Sequence, residues 1–167
     1  APRGTLLYSR PVTIETNSEL ETERFGEDLA ALLSRGSVVG LSGPLGVGKT
    51  ALVRGIARGL GVEDGAVHSP TFLTAAEYDG RLPVAHIDLY RHGDRLPHPE
   101  WLAELLDGEG VALVEWYEHL GEERPPEGLL IEMAYGAQAT HRRLELQASG
   151  ERARAIVTAL SRWRQTP

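Results

Sequence analysis

The eight residues Gly43-Pro44-Leu45-Gly46-Val47-Gly48-Lys49-Thr50 match the pattern G-x-x-x-x-G-K-[ST] in full. Glycines at these spacings let backbone N–H groups converge on one point, which suits phosphate oxygens, and a helix starting there adds its positive dipole end. Lys49 has the reach for β- and γ-phosphates, and the Thr50 hydroxyl suits Mg2+. The flanks agree, with an apolar run before the loop and amphipathic periodicity after it. Lysine usage sharpens the reading. Of 17 lysines and arginines, Lys49 is the only lysine. Where a generic cation suffices the chain uses arginine. At this one position it keeps a compact ammonium on a flexible stem, because a broad planar guanidinium does not suit the loop.

A magnesium–nucleotide site needs more oxygen ligands and a group to order the attacking water. These belong at the C-terminal ends of neighbouring parallel strands. Asp88 after VAHI and Glu115 after VALV meet that requirement. A carboxylate is costly inside a core but suits a metal-facing crevice. The plainer alternative is that each merely ends its strand in solvent. SPTF at 69–72 holds Ser69 and Thr71 on either side of Pro70, whose fixed φ restrains both hydroxyls. It reads equally as a phosphate-sensing loop and as an ordinary turn. Trp116, directly after Glu115, is expected in the core rather than in the site. The six histidines show no H-E-x-x-H pattern, so no zinc site is expected.

Several elements must position these residues. A strand is expected over 11–15, then a helix through about residue 33, N-capped by Asn17 or Ser18, with Leu20, Phe25, Leu29, Leu32 and Leu33 on one inward stripe. A buried parallel strand over 37–43 leads into the loop. The next helix covers 49–60, with Leu52, Val53, Ile56, Ala57 and Leu60 inward and Gly61 at its end. Segments 71–78 and 82–89 read as a hairpin joined by DGRL, followed by a short helix near 100–106 and a buried strand over 111–115. Strands near 128–134 and 142–147 and a helix over 151–163 complete the chain. The sum is a single α/β domain over 1–167: a three-layer P-loop NTPase with a mainly parallel central sheet and an antiparallel extension.

Composition excludes other classes. There is no cysteine, hence no disulfide, thiolate metal site or cysteine nucleophile, which fits a reducing cytoplasm. No apolar run approaches the roughly 18 residues of a membrane span, and residues 1–10 lack the apolar segment of a secretory signal. The net charge of −7 opposes autonomous binding to a polyanion. The charge is uneven. Residues 94–132 carry eleven acids against Arg95 and Arg124, while 141–164 carry six arginines against Glu145 and Glu151. Both regions read as solvated surface, or as an acidic face and a basic end for protein partners.

With GPLGVGKT, SPTF, HIDLYR and VEW in this order, the chain resembles the bacterial TsaE (YjeE) family from about Ser18 to Leu146. These are small P-loop ATPases of tRNA threonylcarbamoyladenosine synthesis. The resemblance implies a cytoplasmic ATP- and Mg2+-using protein that works with TsaD and TsaB to support modification of adenosine 37 in tRNAs reading A-starting codons. It would meet tRNA only through that complex. By the same resemblance Thr50 and Glu115 are magnesium ligands, and Asp88 is the acidic residue at the phosphates and the metal. Lys49, Asp88 and Glu115 form the catalytic set. Glu19 and Thr22 fall in the segment near base and ribose, and Thr71 is the switch-like threonine. Two positions depart from the family pattern: Pro44 stands for an aspartate, and Ala51 for a threonine that often follows GKT. Neither removes a backbone phosphate donor. A late-strand arginine near the nucleotide corresponds to Arg142 or Arg143, with Arg143 taken into the site.

A GTPase would need Asn-Lys-x-Asp, and the single asparagine, Asn17, and single lysine, Lys49, exclude that motif. The rival reading is a P-loop small-molecule kinase, whose arginine-bearing lid would have to be RHGDR at 91–95.

Overall fold

Short apolar strands build the centre of one sheet in the computed structural model, which describes residues 7–68, 75–91 and 99–164. Among these residues the order of elements is β1 (Val12–Thr16), α1 (Glu19–Ala30), β2 (Val38–Ser42), α2 (Lys49–Gly59), β3 (Ala75–Tyr78), β4 (Val84–Asp88), α3 (Pro99–Leu106) and β5 (Val111–Glu115). A 3-10 segment, Tyr117–Glu123, then leads to β6 (Gly128–Tyr135), β7 (Arg142–Ser149) and α4 (Glu151–Leu160).

The seven strands form one sheet in the order β1-β7-β6-β2-β5-β4-β3. The four central strands, β6, β2, β5 and β4, are mutually parallel. β7 and β1 extend one edge antiparallel, and β3 closes the other edge antiparallel to β4. The expected mainly parallel centre with an antiparallel extension is therefore the observed fold. β2, β4 and β5 are buried along almost their whole length, as parallel strands covered on both faces must be.

Side chains of a strand alternate between faces, and the two faces here make two apolar layers. Val84 of β4 and Val111 and Leu113 of β5 pack with α1, α2 and α4. Ile87 of β4 and Ala112 and Val114 of β5 pack with α3 and the 3-10 segment. Helical material on both faces gives the three layers. On the second face Tyr117 lies directly on β2, where a Cβ on Gly40 would sit 2.2 Å from its ring.

Three expectations need correction. Leu20 was placed on the inward stripe of α1 but is 54% exposed. The buried arc is Thr22, Phe25, Gly26, Leu29 and Ala30, and at about 100° per residue Leu20 falls on the opposite side from Thr22. Leu32 lies beyond the end of α1 and is also exposed. The 3-10 segment was not anticipated, because its sequence, YEHLGEE, has neither helical nor strand periodicity. The part of the expected hairpin over 71–74 lies outside the described residues.

α1 starts from a well-made cap: Ser18 Oγ accepts the Glu21 N–H at 3.1 Å, and Glu21 Oε1 accepts the Asn17 N–H at 3.0 Å. It packs on α2 at unusually close range. A Cβ on Gly55 would lie 2.1 Å from the Glu23 carbonyl oxygen, so only glycine allows the two backbones to approach this far. The contact fixes α2, and hence the loop that precedes it.

Candidate functional site

The C-terminal ends of the central strands converge on one edge of the sheet. β2 ends at Ser42, and the register pairs Asp88 of β4 with Glu115 of β5 and Leu41 with Glu115. Residues 43–48 leave that edge and enter α2. Gly43 and Gly48 have φ of 145° and 115°, which other residues rarely adopt. A Cβ on Gly43 would also sit 2.5 Å from the Met133 carbonyl oxygen. Unlike α1, α2 has no side chain capping its amino end and no acid in its first turn. Its positive dipole end and first N–H groups therefore face the loop, an arrangement that attracts an anion.

Lys49 is 4% exposed. Its ammonium donates to the carbonyls of Gly43 at 2.5 Å and Pro44 at 2.9 Å. It also lies 4.3 Å from the centre of the Trp116 ring, within cation–π range. Burial pushes this ammonium below the usual lysine range, against the pull of the Glu115, Glu118 and Asp88 carboxylates, which favour its charge. Trp116 was expected in the core. It is only partly buried: it leans on the second apolar layer while its ring covers the Lys49 ammonium. Trp116 adopts φ 58°, so the chain turns sharply after Glu115. Tyr90 and His119 flank its ring at 5.1 and 5.6 Å, and a His119 ring nitrogen lies 2.8 Å from the Leu89 carbonyl oxygen.

Glu115 does not end its strand in solvent. It is 3% exposed, and its carboxylate accepts from the Thr50 hydroxyl at 3.0 and 3.2 Å. Its Oε2 also lies 2.5 Å from Nε2 of His86. A hydroxyl and a carboxylate held this close make a hard-oxygen pair, and Mg2+ commonly takes one or two protein oxygens beside substrate phosphates. The residues therefore fit that ion. Asp88 sits at the neighbouring strand end, on the face of β4 that carries Val84 and His86. Its Oδ1 accepts the Tyr90 N–H at 2.9 Å.

The remaining expected residues divide. Glu19 is at the start of α1, paired with Arg54 of α2 at 2.7 Å. Thr22 was expected beside a base and ribose but is 1% exposed, with its hydroxyl 2.7 Å from that of Thr16. It belongs to the inward arc of α1. Val47 is wholly buried and anchors the loop, whereas Pro44, Leu45 and Gly46 are exposed and Ala51 is buried in the first turn of α2. Arg142, not Arg143, reaches the loop: its Nε donates to the Val47 carbonyl at 2.7 Å, with its guanidinium over the Tyr135 ring at 4.7 Å. The Tyr135 hydroxyl in turn donates to the Leu45 carbonyl at 3.3 Å. Arg143 pairs with Glu145 at 3.1 Å, because successive residues of β7 face opposite sides. Thr71, with the rest of SPTF, and positions 92–95 of the lid candidate lie outside the described residues.

Sequence reasoning assigned no role to His86, Glu118 or Tyr135. His86 did leave a signal, being the one polar residue in the otherwise apolar VAHI run. Among the described residues no cluster of three or more His, Cys, Asp or Glu forms a metal site, and no helix is long and apolar enough to cross a membrane.

Comparison with known proteins bears on the same stretch. The family model described as "Threonylcarbamoyl adenosine biosynthesis protein TsaE" matches residues 16–144. A "tRNA threonylcarbamoyladenosine biosynthesis protein TsaE" from Bacillus subtilis is 40% identical over 143 residues, which are 85% of this chain and 89% of the relative. The protein of the same description from Streptomyces coelicolor is 41% identical over 145 residues, 81% of this chain and 97% of the relative. The crystal structure of Bacillus subtilis YdiB superposes with a TM-score of 0.76 at 31% identity, covering 95% of this chain and 98% of the other.

Proposed function

Because the chain belongs to the TsaE family of threonylcarbamoyl adenosine biosynthesis proteins, we propose that it is the ATP-binding and ATP-hydrolysing subunit of that modification in the cytoplasm. It would act with TsaD-like and TsaB-like proteins on position 37 of tRNAs reading A-starting codons. The observation that carries the reading is the junction of Lys49, Thr50 and Glu115, where a buried cation, a hydroxyl and a carboxylate meet at the uncapped amino end of α2. In this reading the backbone N–H groups of residues 43–50 cradle the phosphates. Lys49 moves from its two loop carbonyls to phosphate oxygens, which repay the burial of its charge better than carbonyls do. Thr50 and Glu115 hold Mg2+, which when bound neutralises charge on the phosphates. Asp88 orders the attacking water from the adjoining strand end. Trp116 keeps bulk water from the ammonium, and Arg142 fixes the loop through Val47.

The acidic balance of the chain supports an indirect relation to tRNA, because a net charge of −7 gives no counterion-release advantage to the chain alone. The decisive experiment has two arms. Calorimetric titration with ATP and GTP in Mg2+ should show selective ATP binding, and phosphate release should rise when TsaD-like and TsaB-like proteins and tRNA are added. Equal or tighter GTP binding, or phosphoryl transfer to a small metabolite in place of partner-stimulated hydrolysis, overturns the reading. A gel shift with the chain alone at near-physiological salt should show no sub-micromolar tRNA complex, and such a complex would refute the indirect role.

A further inference from the structure

We infer that His86 is a positioning residue that holds Glu115 in its ion-binding orientation. The inference rests on the magnesium–nucleotide reading of the site and adds a member that touches neither ion nor nucleotide. His86 sits in the middle of β4, opposite Leu113 of β5, and is 0% exposed. Its Nε2 lies 2.5 Å from Glu115 Oε2, while its Nδ1 is buried with no partner among the described residues. A buried ring with an orphaned nitrogen is a poor core residue, because that nitrogen loses water and gains nothing. An apolar side chain of similar size would fill the same space without that loss. What the imidazole supplies is its single bond, a short one to a carboxylate. The donor is assigned from this network: a carboxylate oxygen accepts, so the hydrogen lies on Nε2, which donates to Glu115.

The geometry shows what the bond prevents. Lys49 carries the opposite charge and is the natural partner for a buried carboxylate nearby. Yet among the described residues the two do not pair: Lys49 spends its ammonium on Gly43 and Pro44, and Glu115 spends its oxygens on His86 and Thr50. With Oε2 held from the β4 side, Oε1 stays within 3.0 Å of Thr50. Released from His86, the carboxylate could rotate towards Lys49, and the oxygen pair that suits Mg2+ would be lost.

Two full-length variants separate this from a packing role. His86→Gln places an amide N–H where Nε2 stands, and His86→Leu fills the core without a donor. ADP binding is first measured calorimetrically in EDTA, and Mg2+ is then titrated into the ADP complex, with binding of Mn2+ to the protein followed by electron paramagnetic resonance. Thermal transitions report the fold. His86→Leu should bind ADP in EDTA like the wild type but require about 10–100-fold more Mg2+ or Mn2+, the usual loss when the hydrogen-bond partner of a metal ligand is removed. His86→Gln should recover most of that loss. Indistinguishable metal titrations for Leu, Gln and wild type would overturn the inference and leave His86 as a core residue. A wild-type chain that binds no ADP would instead overturn the reading of the site itself.

Discussion

Glu115→Ala tests how the site is built, and its cost can be worked from the contacts. The carboxylate is buried and serves three groups: the Thr50 hydroxyl, His86 Nε2 and, through space, the Lys49 ammonium. Truncation leaves both nitrogens of His86 buried without a partner, and one newly orphaned buried donor costs about 1–3 kcal/mol. Thr50 is only partly buried, so water can replace its partner at little cost. Lys49 loses the carboxylate that does most to keep it charged, so burial lowers its ammonium further. The expected loss is about 2–4 kcal/mol, a large share of the ~5–15 kcal/mol typical of a domain. With a urea dependence of about 2 kcal/mol per molar, the midpoint should fall by about 1–2 M. Glu115→Gln separates chemistry from fold. Its amide oxygen still accepts from His86, so stability should stay within about 1 kcal/mol of the wild type. Mg2+-dependent ATP turnover should nevertheless be lost, because a neutral amide is a weak magnesium ligand. A wild-type urea midpoint for Glu115→Ala would refute the buried-acceptor role, and wild-type turnover by Glu115→Gln would refute the metal role.

Three further outcomes follow from the same contacts. Lys49→Arg should lose nucleotide binding or hydrolysis while its melting transition stays near wild type, since a planar fork cannot take the place of an ammonium held between two loop carbonyls and an indole; an active variant contradicts the assignment. Arg142→Ala should weaken ATP binding about tenfold by freeing the Val47 carbonyl contact, at the energy of one charge-assisted hydrogen bond, whereas Arg143→Ala should leave it unchanged; the reverse order in calorimetry would show that the wrong arginine was placed on the loop. Burial lowers the Lys49 ammonium from its ordinary 10.5, so between the lowered value and 10.5 the unfolded chain binds more protons and stability rises with pH. Comparing Lys49→Met with wild type in urea from about pH 8 to about pH 10 should show that this rise belongs to the wild type alone, and parallel pH dependences would remove Lys49 as its source.

The glycine-rich loop, its lysine and its hydroxyl were legible in the sequence because they are neighbours along the chain. Glycine spacing, an apolar run before and an amphipathic helix after are local facts, and local backbone preference is enough to build them. The parallel centre of the sheet was legible for a similar reason: VVGL and VALV are unbroken apolar runs, as strands covered on both faces carry. Even the carboxylates at 88 and 115 could be picked out as strand ends. Which groups meet at the site was not legible. Thr50 and Glu115 are 65 positions apart, His86 and Glu115 are 29 apart, and Arg142 and Val47 are 95 apart. Those meetings depend on strand order, which places β5 between β2 and β4, and on the start of β7, where Arg142 reaches the loop. The choice between Arg142 and Arg143 turned on a one-residue alternation in β7, and the burial of Thr22 turned on which arc of α1 faces α2 through glycine. Trp116 reaches Lys49 because the chain turns at a positive φ that its sequence does not announce. Periodicity says which residues face inward; only the packed sheet decides what they face.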